Sequence, residues 1–419
     1  MKPAEQALAD RALPPGSGAS HLAPGTQGWT GAQLEALARH LREAGPGALA
    51  RLGAQDLLDA WCRAIDVLRD PASPPRRALE PGLARATGLS RAGLEAALAT
   101  VLGGLDRSHA ARLITRAPAD HPQRGLVVIV LASNVPALAV QALLPALALG
   151  RPALIKSATA EPYFAPALVH ALGQADARLR DAMAAVTWPG GMRVLENAVF
   201  HHAERVLAYG ARASIADLRA RLGPKLCAFG PKLSLAVIGR EIEPREIASG
   251  LARDIALFDQ RGCLSIQAIY TAGDAQALAR ALAAALVARA RAWPMGAIEP
   301  SAAAAVQRLR ACAVMKGQVL PALPLASGTV MVEPDPTFSP SPGLRTVRIH
   351  PLPELAARPR LLRAWRGSLQ GAALAGSAAR ALMPRLRELG IRRMAAPGAL
   401  QDTGATWDRN GRDPLEALA

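Results

Sequence analysis

The sequence predicts an α/β protein: helices lead into a largely parallel sheet, and a second αβ unit follows. Two observations carry this. Short β-branched runs such as 126–131 (Leu-Val-Val-Ile-Val-Leu) alternate with amphipathic stretches of helix length, the pattern of βαβ units whose strands are buried on both faces. Ahead of the first such run, from Thr30 to about Leu105, apolar residues recur only at three- and four-residue intervals, which is helical spacing.

Residues 1–30 are rich in Pro, Gly, Ala and Ser and are expected to be a flexible N-terminus. Thr30-Gly-Ala-Gln33 and Ser90-Arg-Ala-Gly-Leu-Glu95 read as capped helix starts. The 31–110 segment is therefore a helical lead-in, not a catalytic unit. After the run at 126–131 come Ala-Ser-Asn134-Val-Pro136, a helix to Gly150, and the strand Ala153-Leu-Ile-Lys156. A helix over about 164–178, a strand ending at Trp188-Pro-Gly-Gly191, a further helix, and the strand Arg205-Val-Leu-Ala-Tyr209 follow. In parallel sheets ligands bind at the carboxyl ends of strands. Asn134, Lys156, Pro189 to Gly191 and Tyr209-Gly210 all fall at such ends and predict one crevice, suited to a nucleotide. Neither GxGxxG nor GxxxxGK[ST] occurs, so the usual dinucleotide and P-loop fingerprints are missing.

Beyond Glu241 a helix runs into Asp259-Gln-Arg-Gly-Cys-Leu-Ser265, and a strand starts at Ile266. A cysteine behind a glycine at a helix-to-strand junction is presented for chemistry, and thiolate is a strong nucleophile that forms acyl intermediates. The plain alternative is a small buried residue, the reading given to Cys62, Cys227 and Cys312. Asp254 and Asp259 are expected to pair with Arg253 and Arg261, and the His201-His202 doublet to lie on a helix surface. Four scattered cysteines without a CxxC pair predict no disulfide framework and no metal site, and place the chain in a reducing cytoplasm. A long helix from Asp274 to Ala292, αβ units to about 375, a helix after Ser377 and a Gly-rich tail complete the chain.

Half the residues are apolar (51%), the net charge is +16 and only 3% are aromatic. The arginines are spread along helix-like runs without interleaved aromatics, which favours solvated faces over nucleic-acid binding. A basic rim that steers phosphate-bearing substrates or an acidic carrier protein is the other reading. No charge-free apolar stretch is long enough to span a membrane.

Taken together, the runs 125–136 (Gly-Leu-Val-Val-Ile-Val-Leu-Ala-Ser-Asn-Val-Pro), 150–157 (Gly-Arg-Pro-Ala-Leu-Ile-Lys-Ser), Trp188-Pro-Gly-Gly191, Tyr209-Gly210, Phe229-Gly-Pro-Lys-Leu-Ser234 and Asp259 to Ser265 resemble the LuxC-type acyl-CoA reductases. These are the fatty acid reductase component of bacterial luminescence systems and their relatives, a branch of the aldehyde dehydrogenase superfamily. The resemblance covers about residues 75–415. It implies an aldehyde-dehydrogenase-like fold with an NAD(P)-binding domain (111–240), a catalytic domain carrying the nucleophile (241–375), and a C-terminal segment (376–419) that returns to the cofactor domain or an oligomer interface.

The resemblance also implies roles. Cys263 is the acyl-accepting nucleophile, and Asn134 is an oxyanion donor alongside the backbone N–H of Cys263, although Asn134 by itself also reads as a turn or helix-cap residue. Lys156 contacts the adenosine ribose or 2′-phosphate of the cofactor, and Gly190, Gly191, Tyr209 and Gly210 lie against the nucleotide. NADPH or NADH is the implied cofactor. An acyl-CoA or acyl-carrier protein is the implied substrate, with an acyl-transferring or synthetase partner and a homo-oligomeric state.

Two departures from the wider superfamily stand out. Gln260 and Cys263 are one residue further apart than in its usual loop. At Ala228-Phe229-Gly230-Pro231-Lys232 the carboxylate that activates deacylating water is missing, which favours exchange with a thiol over hydrolysis. The competing readings are an aldehyde dehydrogenase or acyl-phosphate reductase, a non-redox acyltransferase or thioesterase, and a charge-driven nucleic-acid binder or scaffold.

Overall fold

In the computed structural model, residues 28–418 are described apart from 119–124, 317, 319, 320, 322, 356–361 and 410. The expectation for residues 1–30 therefore lies almost wholly outside the described residues.

Among the described residues five helices come first: Gly31–Ala50, Ala54–Arg69, Pro74–Thr87, Arg91–Gly103 and Arg107–Arg116. Side-chain caps set their starts. Thr30 and Gln33 form a reciprocal capping box, and Ser73, Ser90 and Asp106 each accept from a backbone N–H of the following first turn, as short polar residues do at N-caps. The apolar faces of the last four helices, including Trp61, Leu68, Leu83, Leu94 and Leu98, share one core with the helices Leu138–Ala148 and Phe164–Ala175, whereas Leu34, Leu37 and Leu41 of the first helix pack with Val128, Leu154 and Phe200. The second of these stops short of the expected Arg178, because Asp176 turns out and caps a separate 3-10 turn through the Arg178 N–H.

A five-stranded sheet follows: β1 (Val127–Val130), β2 (Ala153–Ser157), β3 (Met183–Thr187), β4 (Arg205–Tyr209) and β5 (Leu226–Phe229), in the order β3-β2-β1-β4-β5. Every pairing is parallel, and Val130 lies beside Lys156 on one side and Ala208 on the other. The carboxyl ends of the central strands are thus level, so the residues following them share one edge. Central strands are apolar on both faces because helices cover both.

The second sheet has six strands: β6 (Leu233–Ile238), β7 (Ile266–Thr271), β8 (Thr329–Val332), β9 (Thr346–Pro351), β10 (Leu369–Ala375) and β11 (Arg393–Ala395), ordered β11-β10-β6-β7-β9-β8 and again parallel. The sequence reading leaves residues 233–238 in the first unit, before a boundary at 240. They instead pair with β7 and β10, and the chain changes sheet across Gly230-Pro231. Two bulges break the ladders: Gln370 is the extra residue between Leu369 and Gly371, and Gln267 the extra residue opposite Ser234/Leu235. Bulges gather near active sites, where they re-aim side chains.

The C-terminal segment divides. β11 joins the second sheet, whereas the tail beyond Leu400 packs on the helical lead-in and first sheet. Asp413 pairs with Arg116, Thr403 accepts from Gln141, and the buried Arg151 donates to the Leu418 carbonyl. A close crossing fixes the tail: a Cβ on Gly104 would lie 2.1 Å from the Thr403 carbonyl oxygen. Gly104→Ala should therefore cost about 1–3 kcal/mol, as overpacking does. Thermal unfolding checks this, and an unchanged midpoint would mean that the tail does not bear on this helix.

Candidate active site

The level strand ends produce a crevice of about 580 Å³ lined by Val130, Lys156, Trp188, Gly190, Gly191, Glu196, Tyr209 and Gly210. Lys156 is only 7% exposed. Its ammonium lies 5.7 Å from the centroid of the Trp188 ring, and it makes no hydrogen bond to a described residue. Burial pushes the Lys156 ammonium below its usual range, opposed by the Glu196 carboxylate. A nearly buried, unpartnered cation is costly unless a ligand meets it. The carboxylates beside it are already engaged: Glu196 accepts from the Gly191 N–H and from Arg221, and Asp217 pairs with Arg193 and Arg221. Gly190 faces open space, and Gly191 has φ +82°, a conformation glycine adopts without strain.

The crevice runs into a second cavity of about 400 Å³ through Ala132, Ser133, Tyr209, Gly210 and Ala211, which line both. Cys263 lies on its wall. The helix Pro244–Ala256 ends, and Phe258, Asp259 and Gln260 all take positive φ (56°, 49° and 65°). For non-glycine residues this costs roughly 1–2 kcal/mol each, so a compensating anchor is needed. Asp259 accepts twice from the buried Arg345 guanidinium (2.6 and 3.1 Å) and once from the Gly296 N–H. The Gln260 carboxamide donates to the carbonyls of Ile266 and Thr346 and accepts from the Thr346 N–H. Ser234 on β6 donates to the Cys263 carbonyl at 2.9 Å. The half-buried thiol is thereby held in front of β7.

Asn134 sits in the turn after β1 and lines the same cavity. The helix beyond begins only at Leu138, behind Ala137 at φ 60°, so Asn134 does not cap it. Its amide nitrogen donates one hydrogen bond to the Arg261 carbonyl at 3.0 Å, tying the turn to the cysteine loop; its second N–H has no partner among the described residues. Burial pushes the Cys263 thiol up; the charge of Arg409, the amides of Cys263 and Leu264, and Lys232 pull it back. Among the described residues no Asp or Glu lines this cavity.

Several expectations are corrected here. Asp259 finds its close partner in Arg345, with Arg261 only at 3.9 Å. Asp254 accepts from the Gly398 N–H, while Arg253 reaches Asp402. Cys312 is exposed and not packed, Cys227 is buried, and Cys62 lies against the helical core. His202 has a side chain only 7% exposed, so that half of the doublet is not surface. The helical lead-in reaches the site: Val101 lines the cavity, and Arg261 donates to the Thr87 carbonyl. Sequence reasoning missed Lys232, Gln370, Gln401, Thr403, Trp407 and Arg409, all on the cavity wall. Of these, the Gln370 amide nitrogen and the Trp407 indole nitrogen are buried without a hydrogen-bond partner.

The fold is similar to that of a benzaldehyde dehydrogenase from Corynebacterium glutamicum (TM-score 0.69, 15% identity, covering 90% of this chain and 86% of that one). It is also similar to aldehyde dehydrogenase 21 from Physcomitrella patens (0.71, 15%, 92% and 86%) and a glyceraldehyde-3-phosphate dehydrogenase from Methanocaldococcus jannaschii (0.67, 11%, 92% and 89%). The architecture is that of the aldehyde dehydrogenases. Within it the chain belongs to the acyl-CoA reductase (LuxC) family, whose model matches residues 84–419. The long-chain acyl-protein thioester reductases of Aliivibrio fischeri and Vibrio harveyi are 32% and 29% identical over 157 residues. These matches span 36% of this chain and 33% of each relative, about a third of the relatives' length.

The anchor of the cysteine loop is open to direct test. Arg345→Met leaves the Asp259 carboxylate buried without its cation, and breaking a buried pair costs about 3–5 kcal/mol. Chemical denaturation should show a loss of that order. A change below about 1 kcal/mol, the worth of a surface pair, would remove the anchor from the account.

Proposed function

We propose that the protein reduces an acyl thioester, carried by coenzyme A or an acyl carrier protein, to the aldehyde through an acyl group held on Cys263, with NADPH or NADH as reductant. One observation carries the reading: a thiol faces a cavity that opens into a nucleotide-sized crevice, and no carboxylate among the described residues lines that cavity. The relatives in Aliivibrio fischeri and Vibrio harveyi are long-chain acyl-protein thioester reductases, which agrees in reaction type.

The crevice fits a nicotinamide nucleotide. Among the described residues Lys156 makes no hydrogen bond or ion pair, and Gly190 and Gly191 leave room for backbone contact. Lys156 and Trp188 would meet the adenosine end, Gly190 and Gly191 the phosphates, and Tyr209-Gly210 the passage towards Cys263. Bound there, a reduced nicotinamide supplies the hydride. At the other end the Cys263 sulfur attacks the thioester carbonyl carbon. The bond to the carrier sulfur breaks, and the carrier leaves as a thiol with the proton that Cys263 gave up. During the attack, the free N–H of Asn134 and the backbone N–H of Cys263 are the donors for the oxyanion, a contribution worth about 10²–10³ in turnover per donor. When the aldehyde forms, the sulfur of Cys263 departs as thiolate. Without a carboxylate base, water at the acyl group is not activated. A reducing cytoplasm suits a working thiol.

Labelled acyl-CoA offered without nicotinamide should leave a label that neutral hydroxylamine removes. Cys263→Ala should abolish it, and Cys227→Ala and Cys312→Ala should not. Lys156→Ala should keep the label and raise the Michaelis constant for the nucleotide. Label retained in Cys263→Ala would overturn the assignment of the acyl site.

A further inference from the structure

Arg409 places an unneutralised cation on the wall of the Cys263 cavity. It arrives from the tail and is held by aromatic faces in place of a carboxylate. Its guanidinium carbon lies 4.7 Å from the ring centroid of Trp407, 5.0 Å from that of Tyr209 and 5.8 Å from that of Phe229. Tyr209 and Phe229 are themselves stacked at 5.1 Å. Arg409 donates to the neutral Gln141 carboxamide, and among the described residues no carboxylate pairs with it. Ring faces and a carboxamide hold a guanidinium without cancelling its charge, so Arg409 remains a cation on the cavity wall.

The other charged or titratable groups facing Cys263 come from separate elements. Lys232, between β5 and β6, is tied to the Gly367 carbonyl. Arg261, on the cysteine's own loop, is turned away to the carbonyls of Thr87 and Phe258. The Tyr209 hydroxyl closes β4. Like Arg409, Lys232 meets only a neutral acceptor, whereas Arg261 has the Asp259 carboxylate at 3.9 Å; of the two cations that oppose the effect of burial on the thiol, Arg409 acts the more strongly. Cysteines become reactive in electropositive surroundings, and among the described residues lining this cavity there is no carboxylate or histidine to take the proton.

We infer that Arg409 is the positioning residue that stabilises the Cys263 sulfur as the thiolate, with the C-terminal tail completing the site by delivering it. The inference rests on Cys263 as the acyl acceptor, but its test needs no substrate. Burial raises the thiol, and Arg409 is the first of the groups that oppose it; removing its charge must move ionisation to higher pH.

The rate of iodoacetamide alkylation at Cys263, followed peptide by peptide across pH, reads this directly. Exposed Cys312 and buried Cys227 serve as references. Arg409→Met keeps the stem among the rings and removes the charge; the midpoint should rise by about one pH unit or more, the size of a nearby-charge effect. Arg409→Lys keeps the charge and should stay close to the unaltered protein. An unmoved midpoint in Arg409→Met overturns the inference, as does a Lys variant displaced as far as the Met variant, since ring packing and not charge would then be at work. If Cys227 becomes reactive in Arg409→Met the fold has opened, and the same comparison is decided with Arg409→Gln. Absence of acyl label on the unaltered protein would refute the proposed reaction and leave this alkylation result standing.

Discussion

The Cys263 loop depends on a buried ion pair between Asp259 and Arg345. Three successive non-glycine residues with positive φ do not hold that shape by local preference. Asp259 gives up its hydration to meet a guanidinium that is itself 1% exposed, and Gln260 completes the hold with three hydrogen bonds to backbone groups around β7 and β9. The extra residue between Gln260 and Cys263 then has a fixed start. Buried pairs are weak contributors to net stability, because desolvation offsets attraction. Their value is geometric here: they set where the next residues go. Leu344 and Arg345 also have positive φ, so two locally unfavourable segments hold each other in place.

From that anchor outward, three parts of the chain distant in sequence converge on one sulfur. The first sheet contributes Asn134 and the Tyr209-Gly210 turn through strand ends levelled by parallel register. The second sheet contributes the bulge at Gln370 and the Ser234 hydroxyl. The tail contributes Gln401, Thr403, Trp407 and Arg409. This division separates two electrostatic tasks. Among the described residues, Lys156 faces the crevice with no hydrogen bond or ion pair, whereas Arg409 faces the thiol cavity with no carboxylate partner. Both charges are dry enough for neighbouring dipoles and ligands to matter more than solvent.

Much of the architecture was legible in the chain, and the reason is local. β-Branched runs give buried parallel strands, short polar residues give caps, and Thr30, Ser90 and Asp274 mark helix starts where the spacing placed them. The positions of Asn134, Lys156, Gly190, Gly191, Tyr209 and Cys263 followed from strand ends and from one motif. What sequence did not reveal depends on contacts made far along the chain. Arg345 lies 86 residues beyond Asp259, and a lone arginine among many gives no sign of burial. Arg409 looks like any tail arginine until Tyr209 and Phe229 stack beneath it. β6 reads as the last strand of the first unit because nothing local says which sheet it joins. Exposure of Cys312 was equally hidden, since only Val306 and Ala313 of its alanine-rich helix are buried.

The central claim is that Cys263 holds an acyl group in a cavity that cannot activate water but admits a thiol. The partition of that acyl group tests it most directly. With aldehyde and oxidised nicotinamide supplied, the account predicts acyl-CoA when coenzyme A is present and little free acid when it is absent. Rapid formation of free acid without coenzyme A would contradict it, because some group in the cavity would then be acting as the base for water.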